Sequence, residues 1–193
     1  PVKFYVPSTY DAQTPATLVI LLHGYGDSGI WTENYMKLQP LAESRGFLYC
    51  YPDALIDAAG AQFWNAIFEN ATDASAVRSY NVDDVAFLRD LIQEIGRQFN
   101  LERKRVYLVG HSNGSQMAYR MACESADLIA GIATLAGLRP LDYGLCQPSE
   151  PVNILHIHGT ADAAYGYWGG AFTNPPWPWN SFAFPGVVQN LQN

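Results

Sequence analysis

The strand-like run Arg105 to Val109 leads without a break into Gly110-His111-Ser112-Asn113-Gly114, and a segment of helical character follows from about Gly114 to Cys123. This order constrains the chain more than any other feature in it. A strand that enters a glycine-flanked turn and leaves it as a helix needs a sheet with helices packed on its faces. The glycines remove side chains that would clash at so sharp a bend, and they leave the central hydroxyl exposed above the sheet. The bare pattern G-x-S-x-G arises by chance in roughly one of fifteen chains of this length, so its placement between strand and helix is what gives it weight.

The rest of the chain repeats the alternation. Thr17 to Leu22 is a continuous apolar, β-branched run ending in a glycine turn, His23 to Gly26, and reads as a strand buried on both faces. Phe47 to Tyr51 is a second short strand, closed by Pro52-Asp53. Asn81 reads as a helix cap, with Asp83 and Asp84 in the first turn and Val85, Leu88, Leu91, Ile92, Ile95 and Phe99 at helical spacing. Gly131 to Leu135 and Asn153 to Ile157 are further strands. The order predicts one α/β domain over residues 1–193, a doubly wound and mainly parallel sheet with functional groups at the carboxyl ends of its strands.

Apolar residues make up 49% of the 193 and charged residues 15%, which excludes a disordered or solvated helical chain. Eighteen acidic against eleven basic side chains give a net charge of −7, with no basic cluster longer than Arg103-Lys104-Arg105, so neither nucleic acid nor an anionic membrane is expected as a partner. No apolar run is long enough to span a bilayer, and the N-terminus lacks the basic and apolar regions of a signal peptide. The first residue is Pro1 rather than Met, which is compatible with a leader already removed. Cys50 sits in an apolar run and is expected as a buried thiol. Cys123 and Cys146 either pair, which implies export, or are small core residues.

Within this frame Ser112 is the candidate nucleophile, with the helix behind it aiming main-chain N–H groups and its positive dipole end at a developing oxyanion. His111 is adjacent on a tight turn, points away from the serine and is assigned to packing. The N–H of Asn113 is one candidate oxyanion donor, and no role is expected of its side chain. The N–H of Tyr25, in the turn after the first long strand, is the other. The strand Val152 to His158 carries Asp162 in the loop beyond it, as the carboxylate that orients an imidazole; Asp53 and Asp27 are lesser candidates.

The segments Leu21 to Asp27, Val82 to Leu88, Gly110 to Arg120 and His158 to Asp162 resemble the polyhydroxybutyrate depolymerase-like esterases, a group similar to feruloyl and acetylxylan esterases. The likeness runs from about Thr17 to Gly170. It implies an α/β-hydrolase fold and a secreted or periplasmic serine esterase without metal or organic cofactor. It carries the nucleophile onto Ser112, the acid onto Asp162 and the oxyanion donors onto Tyr25 and Asn113. In the family the catalytic histidine follows the acid, but here His23, His111, His156 and His158 all precede Asp162. His158, at the end of the same strand, is the nearest substitute. Val187, Val188 and Leu191 open a helical pattern that has no cap before Asn193. The expectation is therefore that a final strand, a final helix and the histidine lie beyond residue 193 or on a separate C-terminal segment.

The stretch from Tyr165 to Phe184 is rich in aromatic residues and proline. Tyr165, Tyr167, Trp168, Trp177 and Trp179 are candidate substrate contacts, able to hold a polyester chain, a feruloyl ring or a sugar. A self-packed loop is the alternative, and Trp31 and Trp64 are further candidates for the cleft. Asn70-Ala71-Thr72 has the form of a glycosylation sequon. No metal-ligand spacing is present; His156 and His158, two apart on a strand, are assigned to packing. The leading substrate class is short hydroxyalkanoate or other small carboxylic esters, with feruloyl or acetyl esters of plant polysaccharide next. A noncatalytic polymer- or carbohydrate-binding scaffold is the alternative of another class.

Overall fold

A computed structural model of the chain describes residues 2–57, 60–66, 82–138, 146–171, 183–184 and 186–187. Its elements in chain order are β1 (Val2–Tyr5), β2 (Ala16–Leu22), α1 (Gly29–Met36), α2 (Leu38–Arg45), β3 (Leu48–Pro52), α3 (Asp84–Gln98), β4 (Leu101–His111), α4 (Asn113–Glu124), β5 (Gly131–Leu135), β6 (Asn153–Ile157), β7 (Gly170–Ala171) and β8 (Ala183–Phe184). Six strands form one sheet in the order β1-β3-β2-β4-β5-β6, and β7 and β8 form a separate pair. All pairings in the large sheet are parallel except that of β1 with β3. The expected doubly wound α/β sheet is thus observed, with an antiparallel edge strand that the sequence did not announce.

From β2 the chain passes to β3 on one side, where β1 forms the edge, and then crosses back to β4, β5 and β6 on the other. The reversal falls between the carboxyl ends of β2 and β4, where Leu22 is the register partner of Gly110, the place at which open α/β sheets bind their ligands. Both glycine turns noted in the sequence, His23–Gly26 and Gly110–Gly114, leave the sheet at this point.

Each face of the sheet has its own core. Leu18, Ile20, Leu22, Leu48, Cys50, Val106 and Leu108 pack with Val85, Leu88, Ile92 and Ile95 of α3 and Met117, Ala118 and Met121 of α4. On the opposite face Leu21, Tyr49 and Tyr51 pack with Ala42 of α2. Alternate residues of β2 therefore serve two different cores, which is why the run from Leu18 to Leu22 has no polar position.

The cap of α3 is Asp83, whose side chain accepts from Ala86 N at 2.9 Å. Asn81, expected in that role, lies outside the described residues. α1 and α2 fall in a stretch without an apolar stripe. They are joined by Lys37 in the left-handed conformation and are held by the buried carboxylate of Glu33, which accepts from Leu38 N, Gln39 N and the Tyr49 hydroxyl. Cys123 and Cys146 form a disulfide between the end of α4 and the segment before β6, and Cys50 is a buried free thiol, as expected of it.

Candidate active site

Ser112 lies between β4 and α4 with φ 52° and ψ −116°. A side chain at positive φ costs on the order of 1–3 kcal/mol unless its surroundings enforce it, and here they do. Ser112 N donates to Leu135 O at 2.8 Å, while Ser112 O accepts from Ser115 N and Gln116 N. The buried Ser115 hydroxyl lies 2.7 Å from Gly110 O and accepts from Leu135 N. The flanking glycines are required by contact: a Cβ on Gly110 would stand 2.3 Å from Gly114 O, and one on Gly114 would stand 2.2 Å from Leu22 O. The elbow is thus pressed directly onto the end of β2.

The turn after β2 lies against it. A Cβ on Gly24 would be 3.5 Å from Ser112 Cβ and 3.2 Å from His111 Nδ1. The His111 ring therefore packs beneath this turn, with the Tyr35 ring 5.9 Å away; burial lowers its pKa, opposed by the charges of Asp27 and Asp162. Tyr25 is tied down through its hydroxyl, which donates to Asp57 Oδ2 at 2.9 Å, and Gly26 N donates to Gln62 O at 2.8 Å.

His23, fully buried, has a defined tautomer. Its Nε2 accepts from Ala54 N at 3.0 Å, so the ring proton is on Nδ1, which donates to Gly24 O at 2.7 Å. Burial lowers its pKa, opposed by the bond to Gly24 O and by the charges of Asp53 and Asp27.

The Asn113 side chain corrects one expectation, because it has a defined structural task. Its Oδ1 accepts from Trp64 N at 2.8 Å and its Nδ2 donates to Trp64 O at 3.0 Å. Its N–H, at the start of α4, has no carbonyl one turn earlier within the helix to receive it. Trp64, considered for the cleft, is instead fully buried, and its indole donates to His23 O.

Asp162 follows β6 in a tight turn. Its Oδ1 accepts from Ala164 N and Tyr165 N at 2.8 Å each, and its Oδ2 lies 3.4 Å from His158 Nε2. His158 Nε2 is itself 2.6 Å from Tyr165 O. That contact binds the ring to the acid's own loop rather than presenting it to Ser112. His156 stacks on His158 at 5.4 Å and shares its Nδ1 with Tyr119 and Thr134. Burial, with the neighbouring His158 adding to it, lowers its pKa to about 4.

Of the proposed substrate contacts, Trp168 is 82% exposed and Tyr167 is half-buried beside it. Tyr165 is buried with Leu138 and Val187, so it supports the loop and does not offer a face at the rim. Trp177 and Trp179 lie outside the described residues, as does Asn70. Trp31 is exposed on α1. Among the described residues, no three of His, Cys, Asp and Glu come together as a metal ion would need.

Comparison with known proteins agrees with this frame. A feruloyl esterase B of Piromyces equi is 33% identical over 172 residues, 88% of this chain and 30% of its own length. A bifunctional acetylxylan esterase/xylanase of Neocallimastix patriciarum is 27% identical over 86% of this chain and 22% of its own. The chain thus spans a third or less of these two curated relatives. Among solved structures, a Bacillus cereus carboxylesterase superposes with a TM-score of 0.58 at 19% identity, covering 84% of this chain and 71% of that one. An acetyl xylan esterase of Aspergillus awamori superposes with a TM-score of 0.59 at 18% identity, covering 77% and 52%. These structures share the α/β-hydrolase fold. The family model described as Phospholipase/Carboxylesterase matches residues 8–173, from before β2 to beyond Asp162, and the chain belongs to that family.

Proposed function

We propose that the chain carries the nucleophile, oxyanion site and acid of a serine carboxylic ester hydrolase. The observation that carries this reading is Ser112 at φ 52° on a bend at the switch point between β2 and β4. A side chain held in a strained conformation at a topological switch point is explained by presentation of its hydroxyl to a ligand.

In this mechanism Ser112 Oγ attacks the ester carbonyl carbon, and its proton passes to an imidazole. The carbonyl electron pair moves onto oxygen, where the N–H groups of Tyr25 and Asn113 receive it. Collapse breaks the bond to the alcohol, which leaves with the imidazole's proton. Water, deprotonated by the same imidazole, then releases the acid from the acyl-enzyme. Asp162 orients that imidazole. It follows β6, two strands and about 10 Å from β4, a spacing that a carboxylate, an imidazole and a serine hydroxyl span together. We assign the imidazole to a histidine outside residues 1–193. His158 is committed to Tyr165 O, and the edge strand β6 exposes Ile154, Leu155 and Ile157, as a strand awaiting a neighbour would.

The substrate class we favour is feruloyl or acetyl esters of plant polysaccharide, supported by relatives named feruloyl and acetylxylan esterase. Exposed Trp168 offers a flat face for an aromatic acyl group or a sugar. Short hydroxyalkanoate esters, to which the sequence motifs lead first, form the second reading. The disulfide supports an oxidising compartment and hence export. The test is turnover of p-nitrophenyl acetate, methyl ferulate, acetylated xylan and hydroxybutyrate oligomers by the full-length protein beside Ser112→Ala. Turnover abolished by the substitution, with preference for the ferulate or xylan substrates, is expected. Equal background rates in both proteins would leave a noncatalytic binding scaffold.

A further inference from the structure

The two residues Trp64 and Asn65 belong to no helix or strand, yet all four of their main-chain polar groups are taken by side chains. Trp64 N and O bond the carboxamide of Asn113. Asn65 N donates to Asp84 Oδ2 at 2.7 Å, and Asn65 O accepts from Arg120 Nη1 at 2.8 Å. Asn113, Asp84 and Arg120 are each at most 4% exposed. Loops ordinarily leave such groups to water, so this dipeptide is fixed from α3 and α4 with unusual completeness.

What it reaches is more telling. The Trp64 indole donates to His23 O at 3.1 Å, and the His23 ring in turn donates to Gly24 O. Gly24 C=O and Tyr25 N–H belong to one planar trans peptide group, in which the carbonyl and the N–H point in opposite directions. Whatever fixes the Gly24 carbonyl therefore fixes the direction of the Tyr25 N–H. Ala54 N, by donating to His23 Nε2, sets the tautomer that makes this bond possible. At the other end of the chain of contacts, the Asn113 carboxamide belongs to the residue whose N–H is the second donor.

We infer that the buried network Ala54–His23–Trp64–Asn113 sets the spacing and direction of the two main-chain N–H groups of the oxyanion site, making His23 and Trp64 positioning residues for transition-state charge. The inference rests on the ester-hydrolase reading above and adds to it a part played by side chains that touch no substrate. The developing negative charge is received without reorganisation only if both donors are already aimed, and a loop anchored at one end would not ensure that.

The experiment uses the full-length protein and Trp64→Phe, which keeps the ring in the core and removes only the indole donor. We expect kcat on p-nitrophenyl acetate, per site titrated with a fluorophosphonate, to fall about ten-fold or more with KM within about two-fold. Removal of a whole oxyanion donor costs about 10²–10³, so a misaimed one costs part of this. Phenylboronic acid, which forms a tetrahedral anion on a nucleophilic serine, should bind more weakly by a similar factor. A purely structural Trp64 would lower Tm while leaving kcat per titrated site and boronate affinity at wild-type values, and that result would overturn the inference. Asn113→Ser removes the carboxamide bonds by a smaller change and carries the same expectation if Trp64→Phe does not fold. Wild-type protein without Ser112-dependent turnover would instead sink the ester-hydrolase reading and the inference with it. Ser112-dependent turnover with both variants unaffected sinks the inference alone.

Discussion

Gly114 lies so close to Leu22 that a Cβ at position 114 would stand 2.2 Å from the Leu22 carbonyl oxygen. The contact is main chain against main chain, between the first turn of α4 and the end of β2. Neither side has a flexible side chain that could yield. Gly114→Ala should therefore lower stability by about 1–3 kcal/mol through overpacking, and it should reduce esterase turnover further by moving Ser112. Thermal unfolding and turnover on p-nitrophenyl acetate check the two parts. A variant with unchanged Tm and rate would mean that the elbow is not seated on β2 as described.

The disulfide gives a second prediction. Cys123 and Cys146 are 23 residues apart, and closing a loop of that order in the unfolded chain is worth about 3 kcal/mol on the chain-entropy model. Reduction should lower Tm by several degrees. Thiol labelling of the oxidised, folded protein should find no reactive cysteine, because Cys50 is fully buried and its thiol is pushed well above its usual range by that burial. Labelling of two thiols without prior reduction would show the bridge to be absent.

Stability should also respond to pH through His156. Its folded pKa is lowered from 6.5 to about 4, so the unfolded chain binds the proton more readily between these values. The stabilisation is complete above pH 6.5 and is lost as pH falls through 4. His23 acts in the same direction, by burial, opposed by the charges of Asp53 and Asp27. His156→Gln keeps a polar partner for Tyr119 and Thr134 but cannot titrate, so urea unfolding of this variant should vary less with pH between 6.5 and 4 than the wild type. Identical slopes for the two proteins would contradict the assignment.

The Glu33 carboxylate offers a test of the face opposite α3 and α4. It accepts Leu38 N at the start of α2 and the Tyr49 hydroxyl at 2.5 Å from β3. Glu33→Ala leaves these donors unpaired beside a cavity, at a cost of about 3 kcal/mol. Glu33→Gln retains an acceptor and should lose less. Urea unfolding of both variants ranks them, and the reverse order would be inconsistent with a buried charge-assisted bond.

Where a segment's fate was decided by its own residues, the sequence was a sufficient guide. β5 and β6 occupy the expected ranges, β2 extends the expected one by a single residue, and the elbow stands between β4 and α4 where the glycines put it. β4 begins at Leu101, before the expected Arg105, because Glu102, Arg103 and Lys104 carry no apolar signal. β1 was missed since four residues with Lys3 among them give no period, and its strand character comes from pairing with β3. α1 was missed because polar Thr32 and Glu33 supply much of its buried face, and α2 because Ala42 is the one residue it buries. The placement of Ser112 and Asn113 at the elbow, of Tyr25 in the turn after β2 and of Asp162 after β6 was legible from motif and order. The Trp64 contacts to Asn113 and His23 were not, because they join residues 49 and 41 positions apart and have no local pattern.

Under the proposed function the Ser112 hydroxyl is a presented and activated nucleophile. The most direct measurement is treatment of the full-length, folded protein with a fluorophosphonate, followed by intact mass and peptide mapping. A single covalent adduct is expected, located on Ser112 and absent from Ser112→Ala. A folded protein that takes up no adduct, or takes it up at another residue and equally in Ser112→Ala, would contradict it.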